Sequence, residues 1–259
     1  MVEKKKKIGW ISRENISFYK FNLDNKDFIT KDEVLKFEKN LLAKGLADST
    51  ESCPVFNFDS TKPKKRFEHR KKFDEKKNFS INRSFLSLFG FPAYGVHCNG
   101  WFKKNSSYHL MIAKRSNKLL KFPAHYDNLI AGGQPCGISI RDNLYKEGYE
   151  EAGLPKSIMK FSKKGSKVHY FHNSQHCFHS AVIFVYNIEI NEDIKLKNID
   201  GEVELFFPVK VDELYNLLEN DLLKPNCIIP IADFITKFMY ENFTKSTISQ
   251  IKYILNSDG

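Results

Sequence analysis

The stretch "AGGQPCGISIRDNLYKEGYEEAGLP", residues 131–155, decides how the rest of the chain is read. It joins a glycine-rich bend to a helix with marked ends. Ser139, followed three residues later by Asp142, predicts a capping box, with an acid where the helix dipole favours one. Ile140, Leu144, Gly148 and Ala152 recur every four residues and predict a buried stripe narrow enough for close packing. Gly153 suits a left-handed cap, and Pro155 cannot continue the helix. Glu147, Glu150 and Glu151 fall largely on the other flank, exposed, where like charges three and four apart repel by roughly 0.2–0.5 kcal/mol per pair. Clustered carboxylates beside a glycine turn suit a hard divalent cation, which takes oxygen ligands and lets substrate phosphates complete its shell. A bare E-x-x-E-E more often marks an exposed acidic helix, so the surroundings have to decide.

Outward from this helix, "YGVHCNGWF" (94–102) and "YHLMIAKR" (108–115) read as two strands joined by the polar turn "KKNSS". Further strands are expected around 166–171, 181–190 and 203–209. Helices are expected over about 211–219 and 228–243, with a third at 246–256. Strands and helices alternate irregularly, which predicts a mixed sheet covered by helices. Nearer the start, "KDEVLKFEKNLLAKGL" places Val34, Phe37, Leu41 and Leu42 on one helical face. The charged run "DSTKPKKRFEHRKKFDEKKN" (59–78) reads as a solvated linker in preference to a phosphate patch.

The 259 residues suit one large domain or one domain with an extension, and 41% apolar residues with 23 phenylalanines supply a core. A formal charge of +10 favours an anionic partner without naming it. No aromatic ladder or nucleic-acid module accompanies the basic run, so nucleic acid is not the expected partner. Five scattered cysteines without a CxxC pair read as reduced thiols. Neither a signal peptide nor an apolar run of about 18 residues is found, so a cytoplasmic protein without a membrane span is expected.

Counted from Gly132, Glu147 lies fifteen residues on, Glu150 eighteen, Glu151 nineteen, Gly153 twenty-one and Leu154 twenty-two. This spacing resembles the Nudix box, G-x5-E-x7-R-E-U-x-E-E-x-G-U, in which U is aliphatic. Three positions depart: Ile138 replaces the first Glu, Lys146 the Arg, and Gly148 the aliphatic residue. The blocks "FLSLFGFPAYGVHCNGWF", "YDNLIAGGQPCGIS", "DGEVELFFPV" and "LKPNCIIPIADFI" are similar to the thiamine pyrophosphokinase-related Nudix proteins, over about residues 80 to 240. The resemblance implies an α/β (α+β) Nudix α/β/α sandwich with a mixed sheet over 85–259, preceded by a small α+β extension over 1–84. It implies hydrolysis of thiamine diphosphate or its damaged analogues to the monophosphate. It also implies Mg²⁺, with Mn²⁺ as a substitute, held by Glu147, Glu150, Glu151 and the carbonyl of Gly132.

For catalysis the resemblance offers Glu147, or a glutamate on a distant loop. Glu202 in "DGEVE" is ranked above Glu204 for that duty, with an ordinary surface charge as the competing reading. Arg115 and Lys114 end a strand and could neutralise phosphate, or merely keep the surface soluble. Lys224 and Asn226 in "LKPNC" could touch ring or phosphate, while Asn226 could equally cap a helix. Trp101 could stack on a heteroaromatic ring, although core packing is the commoner use. "HYFHNSQHCFH" gathers His169, His172, His176, Cys177 and His179, but without zinc-site geometry it reads better as a loop with solvent-facing histidines than as a zinc site. Cys136 reads as a packed thiol. Two other readings stay open: a Nudix hydrolase of nucleoside diphosphate derivatives such as ADP-ribose or an RNA cap, and a ligand-binding module with a weakened box. The N-terminal segment is compatible with a lid, a dimerisation element of a homodimer, or a passive extension.

Overall fold

Thr30 opens the first helix, α1 (Lys31–Ala43); of the expected amphipathic face Val34 and Leu41 are buried and Phe37 packs beside them, whereas Leu42 is exposed at 43%. The Thr30 hydroxyl accepts from the Glu33 N–H at 3.3 Å, and the Glu33 carboxylate accepts from the Thr30 N–H at 2.6 Å. That reciprocal pair satisfies two amides a helix start would leave free. The computed structural model describes residues 29–56, 72–75, 77–173 and 178–256. After α1 come β1 (Ser52–Val55) and β2 (Phe79–Asn82), an antiparallel pair, and two 3-10 turns, Arg83–Phe85 and Ser87–Phe89. Val34, Leu41, Val55, Ile81, Phe85, Phe89 and Phe91 close a small core of their own.

The main sheet is built on β3 (Pro92–Lys104), and includes β4 (Ser107–Arg115), β5 (Tyr126–Asp127) and β6 (Ile130–Gly133). The turn between β3 and β4 needs left-handed backbone at Asn105 and Ser106, with φ of 49° and 64°. Then follow α2 (Ile140–Ala152), α3 (Lys156–Met159), β7 (Lys163–Asn173), β8 (Phe178–Glu189), β9 (Val203–Lys210), α4 (Leu214–Glu219), α5 (Ile228–Phe238) and α6 (Lys245–Asn256). The sheet runs β5-β4-β3-β8-β7, with β6 paired to β3 and β9 to β4. Only β3 and β8 are parallel, in register from Pro92↔Ser180 to Trp101↔Glu189; the other pairs are antiparallel. The sheet is therefore mixed, as the irregular alternation of elements predicted.

Pleating sends alternate residues of β3 to opposite faces. Val96 and Cys98 join Leu144, Ala152, Leu154 and Met159 beneath α2. Trp101 instead meets Phe234 and Phe238 of α5, with ring centroids 5.8 and 4.9 Å apart, so it packs in the core. On the second face Leu110, Ile112 and Val209 pack with Ile231, Phe234 and Met239. The result is a helix–sheet–helix sandwich.

Polar residues also lie deep on the α5 face. His97 Nδ1 is 2.8 Å from Asn128 Oδ1, and Asn128 donates to Asn99 Oδ1 at 3.1 Å. Asn99 donates to Asn187 Oδ1 at 2.8 Å, and Asn187 donates to Asp233 Oδ2 at 3.3 Å. Lys237 Nζ closes on both Asp233 oxygens at 2.9 and 3.0 Å. A buried polar chain is tolerated because each member has a partner.

Three expectations are corrected. The "glycine-rich bend" contains a strand, since Gly132 and Gly133 pair with Val96 and Gly95 of β3. The linker reading fails at its described end: Phe73 is 1% exposed and its ring meets Phe56, Tyr94 and Phe184. The helix expected over 228–243 stops at Phe238, and a 3-10 turn over Tyr240–Asn242 follows. No helix among the described residues is long and apolar enough to cross a membrane.

Candidate active site

The start and end of α2 follow the sequence closely. Ser139 Oγ accepts from the Asp142 N–H at 3.0 Å, and Gly153 ends the helix at φ 68°. The box is only half formed, because the Asp142 carboxylate takes the Ser139 hydroxyl at 2.6 Å. Gly148 lets the helix settle on Met159, whose Cγ would lie 3.0 Å from any added Cβ.

The carboxylates are arranged differently from the sequence expectation. Glu147 and Glu151 are buried, at 7% and 5% exposed, and Glu150 alone is near the surface. Burial follows from how α2 meets β6. The Gln134 N–H donates to the Tyr94 carbonyl at 2.8 Å, so ladder alternation turns residue 132 toward β3 and residues 131 and 133 toward α2. Accordingly the Ala131 N–H donates to Glu151 Oε2 at 2.7 Å, and Asn143 Nδ2 donates to the Gly133 carbonyl at 2.8 Å. The ladder thus gives the Gly132 carbonyl to Val96, and Gly132 contributes room. A Cβ there would stand 2.1 Å from Glu147 Cδ.

Nor are the three glutamates unrelieved. Lys146, standing where the Nudix pattern has Arg, lies 3.1 Å from Glu147 and 2.7 Å from Glu150. Burial pushes the Glu147 carboxyl up to about 7, against the pull of Lys146. Burial first, then the neighbouring Glu147, pushes Glu151 well above the carboxylate range. Among the described residues no group of three or more His, Cys, Asp or Glu converges on one point suited to an ion. Glu150 is turned to Lys146. The donor chemistry still fits a hard divalent ion, because two buried carboxylates repel each other and, among the described residues, Glu151 has one amide as partner.

Glu202 is exposed on the loop before β9, near enough to Glu151 to help raise it. Its backbone is pinned, its N–H donating to Asp200 Oδ1 at 2.9 Å and its carbonyl accepting from Ser116 at 2.8 Å. Glu204 points elsewhere and pairs with Lys114 at 3.1 Å. Arg115 does not stand free for phosphate: it reaches Asp127 at 3.4 Å and the carbonyls of Phe122 and Lys121 at 3.2 Å each. It braces Asp127 and the loop beside it. Lys224 closes on the same Asp127 at 2.6 Å. Burial opposes the Asp127 charge, yet Lys224, His97 and Arg115 hold its carboxyl below the usual range.

The Asp127 charge, held by Lys224, also acts to raise the Glu151 carboxyl. The buried Oδ1 of Asn226 has no hydrogen-bond partner among the described residues. It does not cap α5, which begins without a side-chain cap bond. A cavity of about 170 Å³, lined by Ser139, Arg141, Lys164, Lys167 and Phe184, sits at the other end of α2. At 1.5 Å per residue that is roughly 18 Å from Glu151.

In the histidine stretch, His169 Nε2 lies 2.9 Å from Ser180 Oγ, and positions 172 and 179 are backbone register partners in the β7–β8 ladder, so part of the expected loop is strand. His176 and Cys177 lie outside the described residues. Cys136 is half-buried beside Ser80 Oγ at 3.4 Å.

Sequence reasoning missed Asp127, His97 and the residues Glu51 and Arg83 that approach from the N-terminal segment. The sign for His97 was its place, with Asn99, between buried apolar residues of a strand. Arg83 and Glu51 carried no local sign.

No family model matches the chain. Two curated proteins of Arabidopsis thaliana are similar to it. "Nudix hydrolase 20, chloroplastic" is 39% identical over 158 residues, which is 61% of this chain and 42% of that protein. "Nudix hydrolase 24, chloroplastic" is 35% identical over 158 residues, 61% of this chain and 43% of that protein. The chain thus matches less than half the length of these relatives. Among solved structures, a Caenorhabditis elegans Ap4A hydrolase binary complex matches distantly, with a TM-score of 0.42 and 12% identity over 58% of this chain and 99% of that one. Over those 158 residues the chain is similar in sequence to two plant proteins that are named as Nudix hydrolases.

Proposed function

We propose that the chain is a metal-dependent pyrophosphohydrolase of small heteroaromatic diphosphates, of the thiamine diphosphate type, giving the monophosphate and phosphate. The observation that carries this reading is the buried pair Glu147 and Glu151 against Gly132, two carboxyls whose ionised forms burial disfavours and a bound cation would favour. Glu147 and Glu151 would hold the ion, with Glu150 joining them by leaving Lys146. A bound Mg²⁺ supplies polarisation of phosphoryl oxygens and a more acidic water. Glu202, whose charge acts on Glu151, would accept the proton of the attacking water at its carboxylate. Lys224, balanced by Asp127, faces the substrate phosphate, and Asn226 Oδ1 offers an acceptor to a ring donor. Arg115 holds Asp127 in place from outside the substrate.

The test is a panel of diphosphates with Mg²⁺, with products quantified. Faster turnover of oxythiamine diphosphate than of ADP-ribose, Ap4A or cap analogues is expected. Cleavage of the others alone would move the substrate class to nucleoside diphosphate derivatives. Survival of every compound, with a rise in melting temperature for one, would leave a binding module.

Gly132→Ala offers a sharper probe of the ledge. The added methyl cannot coexist with the Glu147 carboxylate, which must swing out. Calorimetric affinity for Mg²⁺ is expected to fall about 10- to 100-fold, in the range seen when the support of a metal ligand is lost. An unchanged affinity would remove Glu147 from the ion's shell.

A further inference from the structure

We propose that Arg83, presented by the N-terminal segment, is a substrate-binding residue of the same site and grips the diphosphate beside Gly133 of β6. This rests on the diphosphate reading above. Gly132 and Gly133 present bare Cα atoms to opposite faces of β6, one step of about 3.8 Å apart. On one face lies the Glu147 carboxylate. On the other lies the Arg83 guanidinium, with Cζ and Nη1 each 2.5 Å and Nη2 2.7 Å from where a Gly133 Cβ would stand. Two adjacent glycines thus bring an acid that suits a metal and a fork of donors that suits phosphate to one strand.

The guanidinium is held in place and only partly used. Its Nη1 lies 2.6 Å from Glu51 Oε2, and its side chain is 47% exposed. Among the described residues Glu51 is its one ion-pair partner, so the other donors of the fork remain available. The Arg83 backbone N–H donates to the Glu51 carbonyl at 2.9 Å, and the turn it sits in is closed by the Ser84 N–H donating to Asn82 Oδ1 at 2.9 Å. The N-terminal unit in turn is pinned to the glycine loop, where Cys136 donates to the Ser52 carbonyl at 2.9 Å and Gly137 to Asp74 Oδ1 at 2.9 Å. The charges sense each other as well: Glu147 acts on Arg83, and Glu51 acts on Glu147. The segment that precedes the sheet is by this reading a wall of the active site.

The experiment uses the full chain, Mg²⁺ and a non-hydrolysable P–C–P analogue of the best-cleaved diphosphate, or methylenediphosphonate if none is cleaved. Calorimetry compares wild type, Arg83→Ala and Arg83→Lys, with melting temperatures taken alongside. Arg83→Ala is expected to weaken analogue binding at least about tenfold while affinity for Mg²⁺ alone stays level or tightens, since a nearby cation has gone. Arg83→Lys, which keeps the charge but loses the fork, is expected to recover only part, and it decides the matter if the alanine variant unfolds. Equal analogue affinity in wild type and folded variants overturns the assignment and leaves the hydrolase reading intact. Arg83-dependent binding without turnover of any diphosphate does the reverse. A wild type that binds no analogue defeats both.

Discussion

Exchanging Glu151 for Gln is expected to stabilise the metal-free protein at pH 8 and to abolish its metal-dependent turnover. Burial first, then Glu147, raises the Glu151 carboxyl, so ionising it in the fold is unfavourable. A group whose folded pKa lies above its unfolded value contributes stability below the unfolded pKa. That stability is lost as pH rises through the folded value. For Glu147, from 4.5 to about 7, the loss is about 3 kcal/mol across that window. For Glu151 it continues to higher pH. Glutamine keeps an oxygen for the Ala131 N–H, removes one buried charge and relieves Glu147. The variant should therefore melt above wild type at pH 8 and match it near pH 4. Turnover with Mg²⁺ should fall at least about 100-fold, and Mg²⁺ should no longer raise the melting temperature at pH 8. A variant that turns over normally would place the ion elsewhere.

Phe73→Ala is expected to cost about 3–5 kcal/mol, the range for emptying a large aromatic site. Phe73 is 1% exposed, with ring centroids 5.4 Å from Phe56, 4.9 Å from Tyr94 and 6.0 Å from Phe184. These belong to the N-terminal unit, β3 and β8, so one ring fastens three parts of the fold. Its N–H also donates to the Ile138 carbonyl at 3.0 Å, at the entrance to α2. Urea unfolding measures the loss, and a change below about 1 kcal/mol would show that this end of the charged run is peripheral.

How far the sequence could be read depended on where each signal was stored. The span of α2 was legible because Ser139 and Gly153 mark its ends within its own residues. The burial of Glu147 and Glu151 was not, because it depends on β6, whose "IAGG" has little side-chain pattern to announce a strand. The same glycines that hide the strand are what admit Glu147 and Arg83. Lys146 was read as a departure from the family pattern, yet it pairs with both Glu147 and Glu150, a pairing set by rotamers that spacing does not fix. Arg115 looked like a free strand-end cation because Asp127, twelve residues on, gave no local hint of meeting it. The burial of Phe73 was hidden by the charged residues around it, since composition averages over a run and one aromatic ring does not alter the average.

The parallel pairing of β3 with β8 bears on how the protein reaches its fold. Residues 92–101 await partners at 180–189, so one flank of the central strand stays open until most of the chain has been made. Closing so long a loop before any contact rewards it is slow, and an open strand invites pairing with another molecule. The antiparallel partners β4 and β6 arrive sooner and can shield the opposite flank. On a ribosome, then, the carboxylate helix would emerge onto a half-built platform, with β6 already available to bury its acids and the other flank of β3 still waiting for β8.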